Sequence, residues 1–388
     1  MEIVSLRPGE GLLIKPSSQG CTIYAVKGSV EIAGVALKNN IAYPFDEPAL
    51  CYTSVGGQVC VVGEGLEITQ TPVELDAILK LVRRLIQVGQ EFRIAVLGAP
   101  GSGKTLASSV LANGLSRGLA AGVSLCDLSP RNHLVTAGFV SSCTVTPQAA
   151  MWRGSPWTER HSVSAHFCGC SGLTDSVVSS YVGTASVAVD GALWRTSGGG
   201  CVGSVFDFPN CDDASPTTVV LPLLDFIRPT HVVVLGEWAD VTDAIRRRFP
   251  GVALMKSEAL VSAQNSIMTA ESRLQQYFRG TVASPKLVNK VSCKLSDLTF
   301  LAVQNTSTFL ECRPIKFDEV PVPSILSVSL ADAEKEVPFA NSAGVVWLVD
   351  IDESRNEASL YVPNGSHELP SNFLVIPLPG QLEFNTLL

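Results

Sequence analysis

The chain has 388 residues, of which 46% are hydrophobic and 16% charged, and it carries a formal net charge of −8. This length exceeds one typical domain, and the composition is typical of a folded protein with a large buried core. The negative charge argues against broad, nonspecific nucleic-acid binding but leaves room for a local basic cleft. We expect neither a signal peptide nor a membrane span, because the sequence starts without a basic and apolar leader and has no apolar run of roughly 20 residues.

The eleven cysteines include no CxxC pair. Cys168 and Cys170 are too close together for the usual spacing of zinc ligands. Most of the cysteines lie in apolar runs, where cysteine packs as a small hydrophobic residue. We therefore expect a reducing compartment, the cytosol or the nucleus.

Residues 1–70 contain short apolar runs separated by glycines, which predicts an N-terminal all-β domain. The residues Thr71-Pro72-Val73-Glu74 then have the form of a helix capping box with proline at the first helical position. Apolar residues recur at helical spacing from there to Gly89. This amphipathic helix is expected to pack the β domain onto the next domain.

From Phe92 onward strands and helices alternate, which predicts an α/β domain with a parallel sheet, here assigned to residues 71–284. Residues 285–388 are again rich in predicted strands and form a small C-terminal domain. The predicted central strands are Phe92–Leu97, Gly122–Asp127, Ser162–Phe167, Ala185–Val189, His231–Leu235 and Val252–Met255. Helices are predicted at Leu106–Arg117, Ala239–Phe249 and Ala270–Phe278, and a mobile loop at Ser197–Pro216.

The sequence GAPGSGKT joins the first of these strands to a helix, which is the context that a phosphate-binding P-loop requires. Glycines allow the chain to wrap a phosphate with its N–H groups, and the helix N-terminus attracts the same anion. Lys104 would contact the β- and γ-phosphates, and Thr105 would ligate Mg²⁺. The predicted nucleotide-binding residues are Gly98, Ala99, Pro100, Gly101, Ser102, Gly103, Lys104, Thr105 and Leu106.

Several P-loop classes lack their further motifs in this chain. The NKxD motif of GTPases has one candidate, at Asn289-Lys290, and it lacks the aspartate. The segment Ser197–Gly199 is not the LSGGQ of ABC-type ATPases. Helicases and AAA-type motors carry Asp-Glu at the end of an apolar strand, whereas here the apolar strand His231–Leu235 is followed by Gly236-Glu237. The kinase branch remains.

Asp127 ends the strand that follows the P-loop helix, so it is expected at the carboxyl edge of the sheet, where ligands bind in such folds. A carboxylate there could accept a proton from an attacking hydroxyl or hold a water molecule on Mg²⁺. The alternative is a turn or helix-capping aspartate before Ser129-Pro130.

The chain resembles the RNA 5′-hydroxyl polynucleotide kinases that belong to the mRNA 3′-end cleavage and polyadenylation machinery and, in animals, are partners of the tRNA-splicing endonuclease. The resemblance runs the whole length with weak identity. It rests on VKGSVEIAGVAL (Val26–Leu37), the P-loop residues Lys104 and Thr105, Asp127, His166-Phe167 with Gly169, Trp194, Arg273 in ESRLQQYFRG, and LPSNFLVIPL (Leu369–Leu378).

The resemblance implies a nuclear ATP- and Mg²⁺-binding protein with RNA and other subunits of the cleavage complex as partners. It implies that Lys104, Asp127 and Arg273 are catalytic, that Thr105 and Asp127 hold the metal and that Trp194 stacks on the RNA. A buried core position is the alternative for Trp194, and a solvated helix face is the alternative for Arg273.

The chain also departs from the family. Ala270 and Gln275 stand where the family carries further lid arginines, and Leu128–Arg131 reads LSPR where active members have VGQG. Arg131, Arg279 or Arg246–Arg248 are the candidates to replace the missing charge. An active RNA kinase, an ATP-bound scaffold in the same complex and a small-molecule kinase therefore all stay open at this point.

Overall fold

The computed structural model describes residues 1–17, 20–45, 48–148, 163–211, 214–260, 269–280, 285–305, 310–363, 365–378 and 381–382. Ser162, the first residue of one predicted strand, and residue 284, a predicted domain boundary, lie outside them. Among the described helices, none is both long and apolar enough to cross a membrane.

The N-terminal unit is a pair of β-sheets packed face to face. Alternation along the strands places every second residue in the core, as with Cys21, Ile23 and Ala25. Its core draws buried residues from both sheets. The all-β prediction is confirmed. The strands are β1 (Glu2–Leu6), β2 (Glu10–Lys15), β3 (Cys21–Gly28), β4 (Glu31–Ile32), β5 (Val35–Ala36), β6 (Tyr43–Phe45), β7 (Ala49–Tyr52), β8 (Gly57–Val62) and β9 (Glu67–Pro72). The two sheets are ordered β1-β8-β3-β6 and β5-β4-β7-β2-β9.

Helix α1 (Asp76–Val88) connects this unit to the central one. Its buried residues share one core with Leu13 and Leu50 of the N-terminal unit and with Val110 of the central unit, so the predicted bridging role is confirmed. The predicted capping box is wrong. Thr71 pairs with Gly11 in the sheet, and the helix begins after Leu75 without a side-chain cap, because strand pairing extends to Pro72.

The central unit is built on a seven-stranded sheet with helices packed against it. Its elements are β10 (Phe92–Gly98), α2 (Lys104–Leu119), β11 (Val123–Asp127), β12 (Phe139–Val145), β13 (Ser164–Phe167), α3 (Val178–Ser197), β14 (Gly203–Asp207), α4 (Pro216–Ile227), β15 (His231–Leu235), α5 (Ala239–Arg248), β16 (Ala253–Ser257) and α6 (Ala270–Arg279). The strand order is β13-β12-β11-β14-β10-β15-β16. The five strands from β11 to β16 in this order run parallel, and β12 and β13 extend the sheet in antiparallel pairing. The predicted α/β class is confirmed.

Two predictions for this unit are wrong. The predicted strand Ala185–Val189 lies inside α3, where Tyr181, Ala185, Ala188 and Ala192 are buried at helical spacing. A short apolar run cannot by itself distinguish a strand from a buried helix segment. The predicted loop Ser197–Pro216 contains β14, which is fully buried at the centre of the sheet between β11 and β10.

The C-terminal unit is a seven-stranded sheet. It packs on the central unit through a shared core that includes Phe167, Leu274, Phe278 and Trp347. The strands are β17 (Val288–Lys294), β18 (Thr299–Asn305), β19 (Leu310–Pro314), β20 (Ser324–Ser329), β21 (Ser342–Asp352), β22 (Glu357–Pro363) and β23 (Phe373–Ile376), with short 3₁₀ segments at Leu295–Asp297, Phe317–Glu319, Glu334–Glu336 and Glu353–Arg355. The strand order in the sheet is β17-β22-β21-β20-β23-β18-β19.

Two of the motifs that carry the sequence resemblance meet at the contact between these units. The Leu378 amide donates to the Gly169 carbonyl over 2.9 Å. Gly169 has a φ of +66°, and a Cβ atom there would lie 3.1 Å from the Leu378 nitrogen. The glycine after His166-Phe167 is therefore needed where the C-terminal segment LPSNFLVIPL packs against the central unit.

His166 lies at the same contact, and its burial predicts a pH-dependent stability. Its Nδ1 lies 3.2 Å from the Ala340 carbonyl oxygen, and burial lowers its pKa to about 4. The unfolded state therefore binds a proton at this histidine more readily than the folded state does. The contribution of His166 to the free energy of unfolding is fully present above pH 6.5 and is lost as the pH falls towards 4. Between pH 7.5 and pH 4 we expect protonation of this histidine to lower the free energy of unfolding by about 3 kcal/mol.

The measurement is denaturant unfolding across that pH range for the wild type and His166→Asn. The variant should lose free energy of unfolding less steeply as the pH falls. Equal slopes for the two proteins would contradict the prediction, whatever the absolute stability of the variant.

Candidate functional site

The P-loop leaves the carboxyl end of β10 and enters α2, as the sequence predicts. Gly98 has no room for a side chain, because a Cβ atom would lie 2.6 Å from Ser102 Oγ and 2.7 Å from the Leu235 carbonyl oxygen. Gly101 and Gly103 have φ values of +78° and +93°, which favour glycine. Gly103 is the N-cap of α2 and has no side chain to cover the helix end. The positive end of the helix dipole is therefore available to an anion.

Lys104 is buried beneath this loop. Its Nζ donates to the carbonyl oxygens of Gly98 at 2.8 Å and Ala99 at 3.1 Å and to Asn210 Oδ1 at 2.6 Å. An ammonium group has three N–H donors, so the lysine side chain is held in place by the loop it belongs to and by the segment after β14. A phosphate that contacts Lys104 must replace at least one of these acceptors.

The P-loop faces a cavity of about 200 Å³ that the N-terminal unit closes from the other side. Lys15, Lys104, Arg131 and Arg273 contribute cationic side chains to it, and the described residues that line it include no aspartate or glutamate. The wall that the N-terminal unit supplies is apolar apart from Lys15, and its residues are Leu13, Lys15, Ile32, Ala33, Pro48, Ala49 and Leu50. The cavity thus offers cationic side chains for a polyanion and an apolar wall for a flat ring.

Asp127 lies at the carboxyl end of β11, directly opposite Asp207 at the end of β14. The two carboxylates and Thr105 line a second cavity of about 10 Å³, roughly the size of one water molecule. Burial and the charge of Asp207 raise the pKa of Asp127 to about 7. A divalent cation with oxygen ligands would relieve this repulsion, so the residues present fit Mg²⁺.

Both Asp127 oxygens are already engaged. Oδ1 accepts the Ser129 N–H at 2.9 Å, and Oδ2 accepts the His133 N–H at 2.7 Å. The Asn132 side chain donates to the Asp127 carbonyl oxygen at 3.1 Å. The carboxylate therefore organises the loop that follows β11, as expected for the alternative in which Asp127 is a turn residue. It also borders the small cavity beside Thr105.

His133 lies between the P-loop and the lid helix α6. Its Nε2 is 3.1 Å from Thr105 Oγ1, and its Nδ1 is 2.6 Å from Arg273 Nη2. Arg273 is 7% exposed and lines the large cavity, so the solvated-face alternative for this arginine is wrong.

The lid positions suspected of missing arginines do not share the orientation of Arg273. Ala270 packs against the core with Leu274. The Gln275 side chain donates to Glu271 over 3.4 Å and lies about 160° around the helix from Arg273. Gln276 lies only about 60° from it. Among the suggested replacements, Arg131 lines the cavity, whereas Arg248 pairs with Asp225 on the surface.

Trp194 is not brought to this site. It is 74% exposed near the end of α3, so the core alternative is wrong. At the start of the same helix, Tyr181 donates to the Leu128 carbonyl oxygen beside Asp127. Trp194 follows thirteen residues later, about 20 Å along the helix, near the opposite edge of the sheet. A base stacked on Trp194 would lie far from the P-loop.

Sequence reasoning missed Asp207, Asn210 and His133. The run GSVFD has the same apolar-then-acid form as VSLCD before it, so Asp207 carried a usable signal that the loop interpretation concealed. Asn210 lies shortly after this strand, so a strand prediction here would have brought it to the site as well. Nothing in the sequence marks His133 or the apolar wall of the N-terminal unit, because their proximity depends on how the units pack.

The fold and the site define an α/β unit that carries a P-loop sequence motif and lies between two β-rich units. No family model and no curated protein sequence matches the chain. Solved structures do match its fold, among them the following two. One is the complex of wild-type Clp1p with Pcf11p, and the other describes an extended Pcf11p–Clp1p interface and the loss of ATP in a glycine-to-arginine point mutant. Each matches with a TM-score of 0.76 and 15% sequence identity, over 97% of both chains. The chain has the Clp1p fold, as the resemblance predicts.

Proposed function

We propose that this protein is an ATP-binding, polynucleotide 5′-hydroxyl-kinase-like subunit of the nuclear pre-mRNA 3′-end cleavage and polyadenylation machinery. The observation that carries the proposal is the cationic cavity between a complete P-loop and the N-terminal unit, in a chain that shares the Clp1p fold over 97% of its length. The neighbours are complexes with Pcf11p, which supports a partner of that kind.

The site residues fit ATP in three parts. The loop amides, the α2 N-terminus and Lys104 would hold the phosphates. The apolar wall that includes Leu13, Ile32 and Leu50 would hold the base. Thr105, Asp127 and Asp207 would hold Mg²⁺. ATP, when bound, supplies the phosphoryl group that a kinase transfers.

For transfer to an RNA 5′-hydroxyl, Lys104, Arg131 and Arg273 would stabilise negative charge on the transferring group. Asp127, with a pKa near 7, has the proton affinity of a general base. Its two oxygens already accept backbone N–H groups, however, so a substrate hydroxyl would have to compete with the Ser129 and His133 amides for the carboxylate.

The main alternative is an ATP-bound scaffold in the same complex. The engaged Asp127, the distant Trp194 and the closure of the cavity by the N-terminal unit favour it. In that case ATP would hold the N-terminal unit on the central unit without being consumed. A small-molecule kinase is the third alternative, and the likeness in fold, which runs over both flanking units as well as the central one, favours the cleavage-complex subunit over it.

The subunit assignment is tested by affinity purification of the tagged full-length protein from its own cells. We expect 3′-end cleavage subunits among the co-purified proteins, with the tRNA-splicing endonuclease as a second possible set. Recovery of neither set would contradict the assignment, independently of ATP binding.

Asp207→Asn is expected to reduce the gain in ATP affinity that magnesium provides. The carboxylate supplies one of the few oxygen ligands at the small cavity, whereas the P-loop contacts to phosphate remain. Calorimetric titration with ATP, in magnesium and in EDTA, measures the effect for both proteins.

Asp127→Asn is the matched comparison. It should reduce the same magnesium-dependent gain, because Asp127 lines the same small cavity. It also exchanges an acceptor for an NH₂ group opposite a backbone N–H, so unlike Asp207→Asn it should in addition lower the free energy of unfolding, by about 1–3 kcal/mol. An Asp207→Asn protein with undiminished magnesium dependence would exclude Asp207 from the metal site.

A further inference from the structure

His133 connects two parts of the site that are distant in sequence. Its imidazole contacts Thr105 at the start of α2 and Arg273 on the lid helix, with N···O and N···N distances of 3.1 and 2.6 Å. The ring lines both the large cavity and the small one. It therefore lies at the junction of the phosphate, metal and lid positions.

The chemistry of the partners determines the form of the ring. An arginine guanidinium has donors only, so the His133 Nδ1 must accept its N–H. A neutral imidazole then carries its hydrogen on Nε2, which donates to the Thr105 hydroxyl oxygen. The histidine is thus used as an acceptor on one side and a donor on the other, a combination that few side chains offer.

Arg273 is held from two directions. The helix that carries it is fixed by Leu274 and Phe278, which are fully buried in the core shared with the C-terminal unit. At the same helix, the Tyr277 hydroxyl accepts the Val345 N–H at 3.2 Å. These contacts fix the backbone, and the contact with His133 directs the guanidinium.

We propose that His133 is the residue that positions the lid arginine Arg273 towards the P-loop. A buried guanidinium is costly unless its N–H groups are satisfied, and a neutral imidazole satisfies one without cancelling the positive charge. An aspartate or glutamate in the same place would pair with the arginine and withdraw it from an incoming phosphate. This inference rests on the proposed function, because it concerns the same nucleotide site.

A double-mutant cycle on ATP affinity tests the proposal. His133→Phe keeps a ring of similar size and removes both nitrogen contacts. In the wild-type background we expect roughly tenfold weaker binding of ATP with magnesium, as for the loss of one hydrogen bond to a charged group. In the Arg273→Ala background the same substitution should have little effect, because His133 acts through Arg273.

His133→Gln is the rescue variant, since one amide supplies both an acceptor and a donor, and it should bind ATP close to the wild-type affinity. Without nucleotide, hydrogen exchange of the α6 amides should be the same in both variants, because the core contacts and not His133 fix the helix backbone. If His133→Phe does not fold, His133→Asn, whose shorter amide cannot reach both partners, takes its place in the cycle.

An equal loss of affinity in both backgrounds would overturn the proposal and leave His133 with a merely structural role. Unchanged affinity in His133→Phe would overturn it as well. Failure of the wild-type protein to bind ATP would instead contradict the proposed function, so the two failures are distinguishable.

Discussion

Lys104→Ala should remove the stabilisation that ATP gives to the wild-type protein. A ligand that binds only the folded state raises the free energy of unfolding by about 2.7 kcal/mol at a concentration one hundred times its Kd. The cationic side chains of the cavity include Lys104, whose ammonium is fixed by Gly98, Ala99 and Asn210. Denaturant unfolding with and without ATP and magnesium measures the difference for each protein.

The difference between the two conditions is the informative quantity. Lys104→Ala also removes three hydrogen bonds and so lowers the stability without ATP. Lys80→Ala, at an exposed lysine on α1, is the matched control and should retain the full ATP effect. If millimolar ATP with magnesium leaves the free energy of unfolding of the wild type unchanged, ATP binding is excluded from the proposed function.

The parts of the fold that could be predicted from sequence are those with local signals. The P-loop carries its glycines, its lysine and its flanking strand and helix within a few residues, and each is where the sequence places it. The amphipathic α1 and the alternation in β3 are equally local. Hydrophobic period and turn residues are sufficient for such elements.

The errors come from segments whose structure is decided by tertiary packing. The run at Ala185–Val189 is apolar except for Ser186, and its helical form follows from the core that packs against α3. β14 is short and follows a glycine-rich turn, so its place at the centre of the sheet depends on pairing with β11 and β10. Asp207 and Asn210 were missed together with it.

The residues of the site divide in the same way, into those that carry a local sequence signal and those whose positions depend on tertiary packing. Lys104, Thr105, Asp127 and Arg273 were predicted, and the structure places them around two adjoining cavities. Their partners could not be predicted, because the contact between His133 and Arg273 spans 140 positions of sequence. Trp194 shows the converse, since a residue with a suitable side chain lies at the wrong edge of the sheet.

The second large expected effect concerns the predicted lid helix α6 and the rate of phosphoryl transfer. Phosphoryl transfer to a 5′-hydroxyl oligonucleotide should be slow or undetectable in the wild type, while ATP affinity is ordinary. Ground-state binding uses the loop amides and Lys104, whereas only contacts that strengthen in the transition state raise the rate. A lid arginine that acts as an arginine finger is worth up to ~10³–10⁵ in rate, and α6 directs only one arginine among its described residues, Arg273, into the cavity.

Any activity should therefore depend on Arg273, and a second arginine on the same side of α6 should increase it. Gln276→Arg places a guanidinium about 60° around the helix from Arg273, and we expect a gain of about tenfold or more, equivalent to ~1.4 kcal/mol of transition-state stabilisation. Gln275→Arg is the matched control, because its position faces Glu271 on the other flank and should leave the rate unchanged. The assay follows phosphate transfer from ATP to 5′-hydroxyl RNA, with Lys104→Ala as the blank. Rapid turnover that survives Arg273→Ala would show that Arg131 or another cation, and not the lid, supplies the charge.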